Sequence, residues 1–125
     1  MIKIIFLIFI LFNSCIYASI GKITAVRGDV KIDRIGKTII AISGIKVEES
    51  DVISTADNAK VQVKFSDNTI ITISKNSQLN IAEYVYDIKK PENSKTNFNF
   101  AKGAFKFISG KIGKHNRDKF KLSTK

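Results

Sequence analysis

Few side chains in this 125-residue chain have the types and spacing that catalysis or metal binding requires. His115 is the only histidine, and Asp118 is the acidic residue nearest to it in the sequence. A catalytic or zinc-bound histidine needs a nucleophile, an orienting carboxylate or further ligands. The polar stretch around His115 therefore predicts a solvated side chain in a loop.

Glu48, Glu49 and Asp51 form the only acidic cluster. Three carboxylates can bind Ca²⁺ or act as an acid–base pair, but this spacing matches no calcium loop. Adjacent glutamates on a strand also point to opposite sides. The cluster predicts a charged turn that leads into the strand at Val52.

No glycine-flanked serine, phosphate-binding loop or dinucleotide-binding glycine pattern occurs in the chain. The sequence therefore predicts a protein that is not an enzyme, with no cofactor, no metal and no small-molecule substrate.

Asp67 and Asn68 lie between two β-rich runs, and both residue types tolerate positive φ. We expect them to form a two-residue hairpin turn and not a ligand site.

The N-terminal segment has the three parts of a secretory signal. A basic start of three residues precedes the apolar run Ile4–Phe12, and small residues lead to Ala18. The apolar run is about half as long as a helix that spans a membrane. We expect residues 1–18 to be a signal peptide cleaved between Ala18 and Ser19, which predicts export, with the periplasm as the destination. An uncleaved anchor and a lipoprotein formed at Cys15 remain open, although Phe12 fits a lipidation signal poorly.

Cys15 is the only cysteine and lies within the predicted signal. Cleavage would leave a mature chain without thiols, which excludes a disulfide framework and a cysteine nucleophile.

The basic charge is unevenly distributed along the chain. Residues 19–93 hold eleven Lys/Arg against ten Asp/Glu, whereas residues 94–125 hold nine against one. Such a basic region suggests anionic partners in the envelope, namely lipid headgroups, cell-wall polymers or an acidic protein surface.

The dominant hydrophobic period is two. In "AKVQVKF" the residues Val61, Val63 and Phe65 alternate with Lys60, Gln62 and Lys64, as in a half-buried strand. Similar runs recur between turn residues at intervals of about eight to twelve residues. The pattern predicts a single all-β domain, an antiparallel roll or sandwich of short strands and hairpins over residues 19–125. The segment Asp87–Lys95 is expected to be an exposed loop.

The C-terminal aromatic residues follow the same alternation. Phe98 and Phe100, Phe105 and Phe107, and Phe120 and Leu122 are predicted to face the core. Asn97, Asn99, Lys106, Lys119 and Lys121 would occupy the solvent side of the same sheet. A nucleic-acid platform needs aromatics on the basic face, so no nucleic-acid partner is expected. Instead, a basic interaction face is predicted at Lys102, Lys106, Lys119 and Lys121.

An ordered set of short motifs over residues 20–125 resembles the FecR-like domain family. It comprises "GKITAVRGDVKIDR", the step Asp51-x-Ile53-x-Thr55, the turn at Asp67 between Phe65 and Ile71, "NS-x-L-x-I" at residues 76–81, and a hairpin with Gly103, Ser109 and Gly110. The resemblance implies a periplasmic or cell-surface β domain without catalysis. In the founding members this domain belongs to a membrane regulator that senses an occupied outer-membrane transporter and signals to a sigma factor.

Two departures from the family plan shape the expectations. The chain lacks the cytoplasmic segment that contacts the sigma factor, so that contact is not expected here. It also stops at Lys125, where family members continue into another strand, which predicts a C-terminally short domain. The sequence thus favours an exported interaction or sensor module whose partner is an envelope protein or an anionic envelope polymer. The alternative is a structural surface component that associates through sheet edges or a basic face.

Overall fold

A computed structural model describes residues 19–115 and 120–124 of the chain. The predicted signal peptide, including Ala18, lies outside the described residues, as do Asp118 and Lys119. Ser19 is exposed and is the first residue described.

The described residues form eleven strands, one short α-helix and one 3₁₀ turn at Pro91–Asn93. The strands are β1 (Gly21–Arg27), β2 (Val30–Arg34), β3 (Lys37–Ile40), β4 (Lys46–Val47), β5 (Val52–Thr55), β6 (Lys60–Phe65), β7 (Ile70–Ile73), β8 (Gln78–Val85), β9 (Lys95–Lys102), β10 (Phe105–Ile108) and β11 (Phe120–Thr124). The helix α1 (Lys111–His115) lies between β10 and β11.

The strands assemble into two sheets. Sheet A has the order β10-β7-β6-β1-β4, and sheet B has the order β11-β9-β8-β5-β2-β3. Every pairing is antiparallel except that of β11 with β9, which is parallel. The predicted all-β sandwich of short strands is confirmed, with this one parallel pair as an addition.

The period-two alternation places the core between the sheets. In β6 the side chains of Val61, Val63 and Phe65 are buried while Lys60 and Lys64 are exposed. The Phe65 ring of sheet A contacts rings of sheet B, at 5.3 Å from Tyr84 and 5.0 Å from Phe98 between centroids. Buried aromatic area of this kind supplies much of the free energy that holds two sheets together.

The C-terminal aromatic residues pack as predicted, but their strands do not share one sheet. Phe98 and Phe100 are buried in sheet B. The ring of Phe105, which belongs to sheet A, stacks on the ring of Phe100 with 3.7 Å between the centroids. The prediction that these strands lie in the same sheet is therefore wrong. The chain crosses from sheet B to sheet A at Gly103, because aromatic side chains of both strands then fill one core from opposite sides. Leu122 remains 36% exposed at the sheet edge.

Gly103 makes this crossing possible. Its φ is +98°, a conformation that L side chains rarely adopt. A Cβ at this position would overlap the Ser77 side chain and lie 2.6 Å from the Ser77 Cα. The Ser77 hydroxyl also accepts a hydrogen bond from the amide of Ala104 at 3.2 Å. The strand crossing and Ser77 thus fit together only when residue 103 has no side chain.

The two polar connections behave differently. Asp87–Lys95 links the neighbouring strands β8 and β9, and most of it is exposed as predicted. The connection that contains His115 was expected to be a plain loop, but it holds α1. His115 is the last residue of α1, and the prediction for its side chain lies outside the described residues.

Among the described residues, none of the helical segments has the length and apolar character needed to cross a bilayer.

Replacing Gly103 by alanine should destabilise the domain strongly. The new Cβ would combine left-handed backbone strain with a backbone clash, and we expect the free energy of unfolding to fall by about 2–4 kcal/mol. Urea denaturation measures this. Gly36→Ala is the matched control, because Gly36 also has positive φ, at +75°, but a Cβ there would have no neighbouring atom within 4 Å. Equal losses in the two variants would contradict the packing explanation.

Candidate functional site

The acidic cluster predicted at residues 48–51 does not converge on a common ligand position. Asp51 is fully buried and binds Arg34 with both carboxylate oxygens, at 3.0 and 2.9 Å from the guanidinium. The hydrogen bonds that Arg34 donates to the Asp51 carboxylate raise the pKa of Arg34 above its ordinary value. The Asp51 carboxylate also accepts the amide of Glu48 at 2.9 Å. Asp51 therefore closes the turn before β5 and anchors β2 to it.

The two glutamates have separate partners. Glu48 lies 3.1 Å from Arg34, whereas Glu49 accepts the backbone amide of Tyr84 at 3.2 Å. Within the described part of the chain, no group of three His, Cys, Asp or Glu side chains is placed to hold a metal ion. The charged-turn interpretation of this cluster fits these contacts.

Thr55 and Ser77 form a second internal connection. The Thr55 hydroxyl donates to the Ser74 carbonyl at 2.6 Å and accepts the Ser77 amide at 2.9 Å. Both residues are buried. The hydroxyl thus ties the end of β5 to the turn between β7 and β8, which also receives Gly103.

Asp67 belongs to a hairpin turn, but the turn has three residues and not two. The Phe65 amide donates to the Thr69 carbonyl at 2.8 Å, so residues 66–68 form the loop. Asn68 occupies the left-handed position with φ of 71°, as in a type I turn followed by a bulge. Unlike an ordinary turn residue, Asp67 is fully buried.

The Asp67 carboxylate accepts four hydrogen bonds. One oxygen receives the Tyr84 hydroxyl at 2.6 Å and the Thr69 amide at 3.2 Å. The other receives the Thr69 hydroxyl at 2.8 Å and the Ile112 amide at 3.0 Å. A buried carboxylate is tolerated when its lone pairs are satisfied in this way. These bonds join the turn between β6 and β7, the strand β8 and the helix α1 at one point.

Burial, followed by the hydrogen bond to Asp67, raises the pKa of Tyr84 well above its ordinary value. The Tyr84 hydroxyl therefore stays protonated and donates to the carboxylate. Gly110 completes the contact, because a Cβ there would lie 2.5 Å from the Asp67 carbonyl oxygen and 2.6 Å from the Thr69 hydroxyl. The start of α1 can approach the turn only because residue 110 is glycine.

The basic residues predicted as an interaction face are divided between the two sheets. Lys102 and Lys121 belong to β9 and β11 of sheet B, and Lys106 belongs to β10 of sheet A. All three are exposed, and Lys119 lies outside the described residues. Because the sheets pack face to face, Lys106 and Lys121 point from opposite outer surfaces of the sandwich. The assumption that they share one sheet is wrong.

The structure instead gathers basic side chains on sheet A. We call this set the sheet A basic face; its members are Lys22, Arg27, Lys46, Lys60, Lys64 and Lys106. All six are exposed, and none of the five strands of sheet A, each fully described, contains an Asp or Glu. Sheet B differs, since Lys95 pairs with Glu83 at 2.6 Å and Arg34 with Asp51.

Three lysines of this face lie in one row across the strands. Lys22 of β1 is directly opposite Lys46 of β4 on one side and Lys64 of β6 on the other. Like charges in this arrangement destabilise a strand pair. Among the described residues, no acidic side chain forms an ion pair with any of the three. We call Lys46, Lys22 and Lys64 the lysine row.

Shallow depressions lie along the sheet A basic face. One, of about 280 Å³, is bordered by Lys22, Lys46 and Lys64 together with Ser19 and Ser66. A second of about 280 Å³ lies beside Arg27, Lys60, Gln62 and Thr72. Both are at the lower limit of volumes typical of small-molecule sites. This surface therefore offers positive charge and polar groups without an enclosed pocket.

Sequence reasoning missed this face for a physical reason. Its residues come from four strands spread over residues 22–106, a range that holds fourteen Lys/Arg and ten Asp/Glu, so the basic residues are not concentrated along the chain. The acids lie in turns or in sheet B, so only strand pairing separates the charges. The alternation in "KVQVK" placed Lys60 and Lys64 on a solvent side, which was the one available signal.

Asparagine at position 67 should weaken the domain more than phenylalanine at position 84. In Asp67→Asn the amide nitrogen replaces one carboxylate oxygen and faces the backbone N–H of Thr69 or Ile112, which then loses its acceptor. We expect a loss of about 3 kcal/mol, against about 1–2 kcal/mol for Tyr84→Phe, which removes one donor to the carboxylate and the hydroxyl that accepts the Asp67 amide. Urea denaturation of both variants checks the order. Wild-type stability in Asp67→Asn would show that the carboxylate is not the connecting group.

A family model described as FecR protein matches residues 51–125. Neither a curated protein nor a solved structure matches the chain significantly. The matched range contains Asp51, Thr55, Asp67, Gly103 and Gly110, each of which has the internal structural role given above. Since the match covers more than half of the sequence, this chain belongs to the FecR protein family.

Proposed function

We propose that this protein is an exported, non-enzymatic interaction and sensor module of the cell envelope, and that it binds an anionic envelope partner through the sheet A basic face. The FecR family is a non-enzymatic signalling and sensor family associated with the envelope, which supports the general part of this proposal. The specific part depends on the surface chemistry of the fold.

The observation that carries the proposal is the unpaired positive charge of sheet A. The carboxylates and hydroxyls with catalytic potential, such as Asp51 and Asp67, are buried in internal hydrogen bonds. The sheet A basic face has six exposed cations and no acid in its strands, all of them described. A surface of this kind attracts anions and accelerates their association.

The start of the folded domain supports the proposed signal cleavage. Among the described residues Ile20 is the first core residue, with 9% exposure, and its amide donates to the Val47 carbonyl at 2.9 Å. Its carbonyl accepts the Ser66 amide at 2.9 Å. Cleavage between Ala18 and Ser19 would therefore leave Ile20 and both of these backbone hydrogen bonds in the mature chain.

Export and envelope retention test the proposal together. In a bacterial host that expresses the full chain, we expect a mature N-terminus at Ser19 by mass spectrometry and recovery in the envelope fraction. Retention should be strong at about 50 mM salt and lost near 0.5 M, because salt screens exposed charges.

Ala18→Trp is the control for processing, because a bulky residue before the cleavage site should leave the precursor intact. A chain that starts at Met1 in the wild type would support an uncleaved anchor, and a lipid on Cys15 would support a lipoprotein. Cytoplasmic recovery, or retention that is insensitive to salt, would contradict the proposal.

A second candidate function is a structural surface component that self-associates through sheet edges. It is favoured by β3, the edge strand of sheet B. Ile40, the last residue of β3, is 71% exposed, and Ile42, two residues further along, is 60% exposed. Exposed apolar edge strands are templates for pairing between chains.

Analytical ultracentrifugation separates the two candidates. Self-association through β3 predicts a weight-average mass that rises between about 5 and 200 µM, and Ile40→Lys should abolish the rise by placing a charge on the edge. Ile88→Lys is the matched control, since Ile88 is 77% exposed but lies in the loop after β8. A monomer over the whole range rules out edge pairing.

A further inference from the structure

We infer that the lysine row is a binding site for a linear anionic polymer that lies across the strands of sheet A. The polymer would be a hydroxyl-rich chain with repeated carboxylate or phosphate groups. This inference rests on the proposed function only in taking the polymer to be an envelope component.

The geometry of the row matches repeated charge. Lys46, Lys22 and Lys64 occupy directly paired positions on three adjacent strands. Neighbouring strands lie about 4.8 Å apart, so the three ammonium groups project from a line about 10 Å long that is perpendicular to the strands. A single small anion could contact two of them, whereas a polymer with successive anionic groups can contact all three.

The row is unfavourable for the fold by itself. Lys22 has a like charge opposite it on both sides, and no acid among the described residues offsets either pair. In natural proteins the residue type at each position usually agrees with what the fold requires there. Positions where it does not agree are concentrated at functional sites. A bound polyanion would turn this repulsion into attraction, which explains why three lysines can occupy these positions.

The rest of the face fits an extended chain. The depression at the row and the one beside Arg27 and Lys60 lie on the same sheet, and the second includes the polar side chains of Gln62 and Thr72. These groups can hydrogen-bond hydroxyls or anionic oxygens of a polymer that continues past the row. The series of shallow sites suits a linear ligand better than a compact one.

Two other polyanionic partners fit less well. Base stacking on single-stranded nucleic acid needs exposed aromatic rings. None of the six members of the sheet A basic face is flanked by an aromatic side chain that points outward. The neighbouring rings of Phe65, Phe105 and Phe107 point to the core. Peripheral membrane binding is strengthened by apolar side chains that enter the bilayer. In the described strands of sheet A, Ile108 is the one large apolar side chain that is strongly exposed, at 49%, and it lies on the edge strand.

Binding of the purified protein to defined probes tests the inference. Polygalacturonate supplies carboxylates and long-chain polyphosphate supplies phosphates; galacturonic acid and inorganic phosphate are the monomeric probes. We expect at least one polymer to bind, its monomer to bind at least 100-fold more weakly, and affinity to fall at least tenfold between 50 and 200 mM salt.

Lys22→Glu is the decisive variant because its two effects have opposite signs. Glutamate at position 22 would lie between Lys46 and Lys64 and replace two repulsions with attractions. We expect Tm to rise by about 2–4 °C, while polymer affinity falls at least tenfold. A purely structural role for Lys22 would not produce both changes.

Lys31→Glu is the matched control. Lys31 is an exposed lysine on an interior strand of sheet B, opposite Ile40 and Ser54. The charge change is the same, so affinity should change less than twofold if the row is the site. Lys121→Glu tests the C-terminal lysines in the same way, and Lys22→Gln replaces Lys22→Glu if the latter does not fold.

Several outcomes would overturn the inference. They are no binding by either polymer, an affinity of Lys22→Glu within twofold of the wild type, an equal loss in Lys31→Glu or Lys121→Glu, and tighter binding to oligothymidylate or to phosphatidylglycerol vesicles than to both polymers. Because these measurements use purified protein, they are independent of export. Failure of the row and failure of the envelope proposal can therefore be told apart.

Discussion

The buried carboxylate of Asp67 is the interaction on which the arrangement of the sandwich depends. It lies at the tip of the β6–β7 hairpin and receives donors from β8 and from the start of α1. A carboxylate without these donors would be very costly to bury, so the hairpin, Tyr84 and α1 have to reach their positions together. The Lys111 amide, which donates to the Asp67 carbonyl at 2.8 Å, extends the same contact. This contact places the start of α1, which follows β10, against the β6–β7 turn.

The same logic explains why a chain with several ordered motif residues has no converging chemical site among the residues described. Asp51 neutralises Arg34, Thr55 closes a turn, and Gly103 and Gly110 allow two backbones to approach closely. Each motif position maintains a strand connection, and its polar atoms are used inside the protein. The exposed cations of sheet A, by contrast, have no acidic partner among the described residues.

The two outer surfaces differ in electrostatics. In sheet B, Arg34 and Lys95 have acidic partners. The strands of sheet A contain basic residues but no acidic residue. The lysine row lowers stability locally and gives the surface its charge density. A fold whose core is well packed and whose buried carboxylates are satisfied can tolerate that cost, since one like-charge pair amounts to about 1 kcal/mol or less.

The sequence by itself determined the all-β class, the inward and outward sides of most strands, the aromatic core residues and the family motifs. Period-two alternation is a local property, so Val61, Val63 and Phe65 could be assigned to the core without a structure. Only the tertiary structure decided which strands share a sheet. It placed β9 and β10 in different sheets and thereby separated Lys106 from Lys121. It also converted Asp67 from a turn residue into a buried connection, and aligned Lys46, Lys22 and Lys64 in one row. These features depend on contacts between residues that are distant in the chain, and no local pattern carries that information.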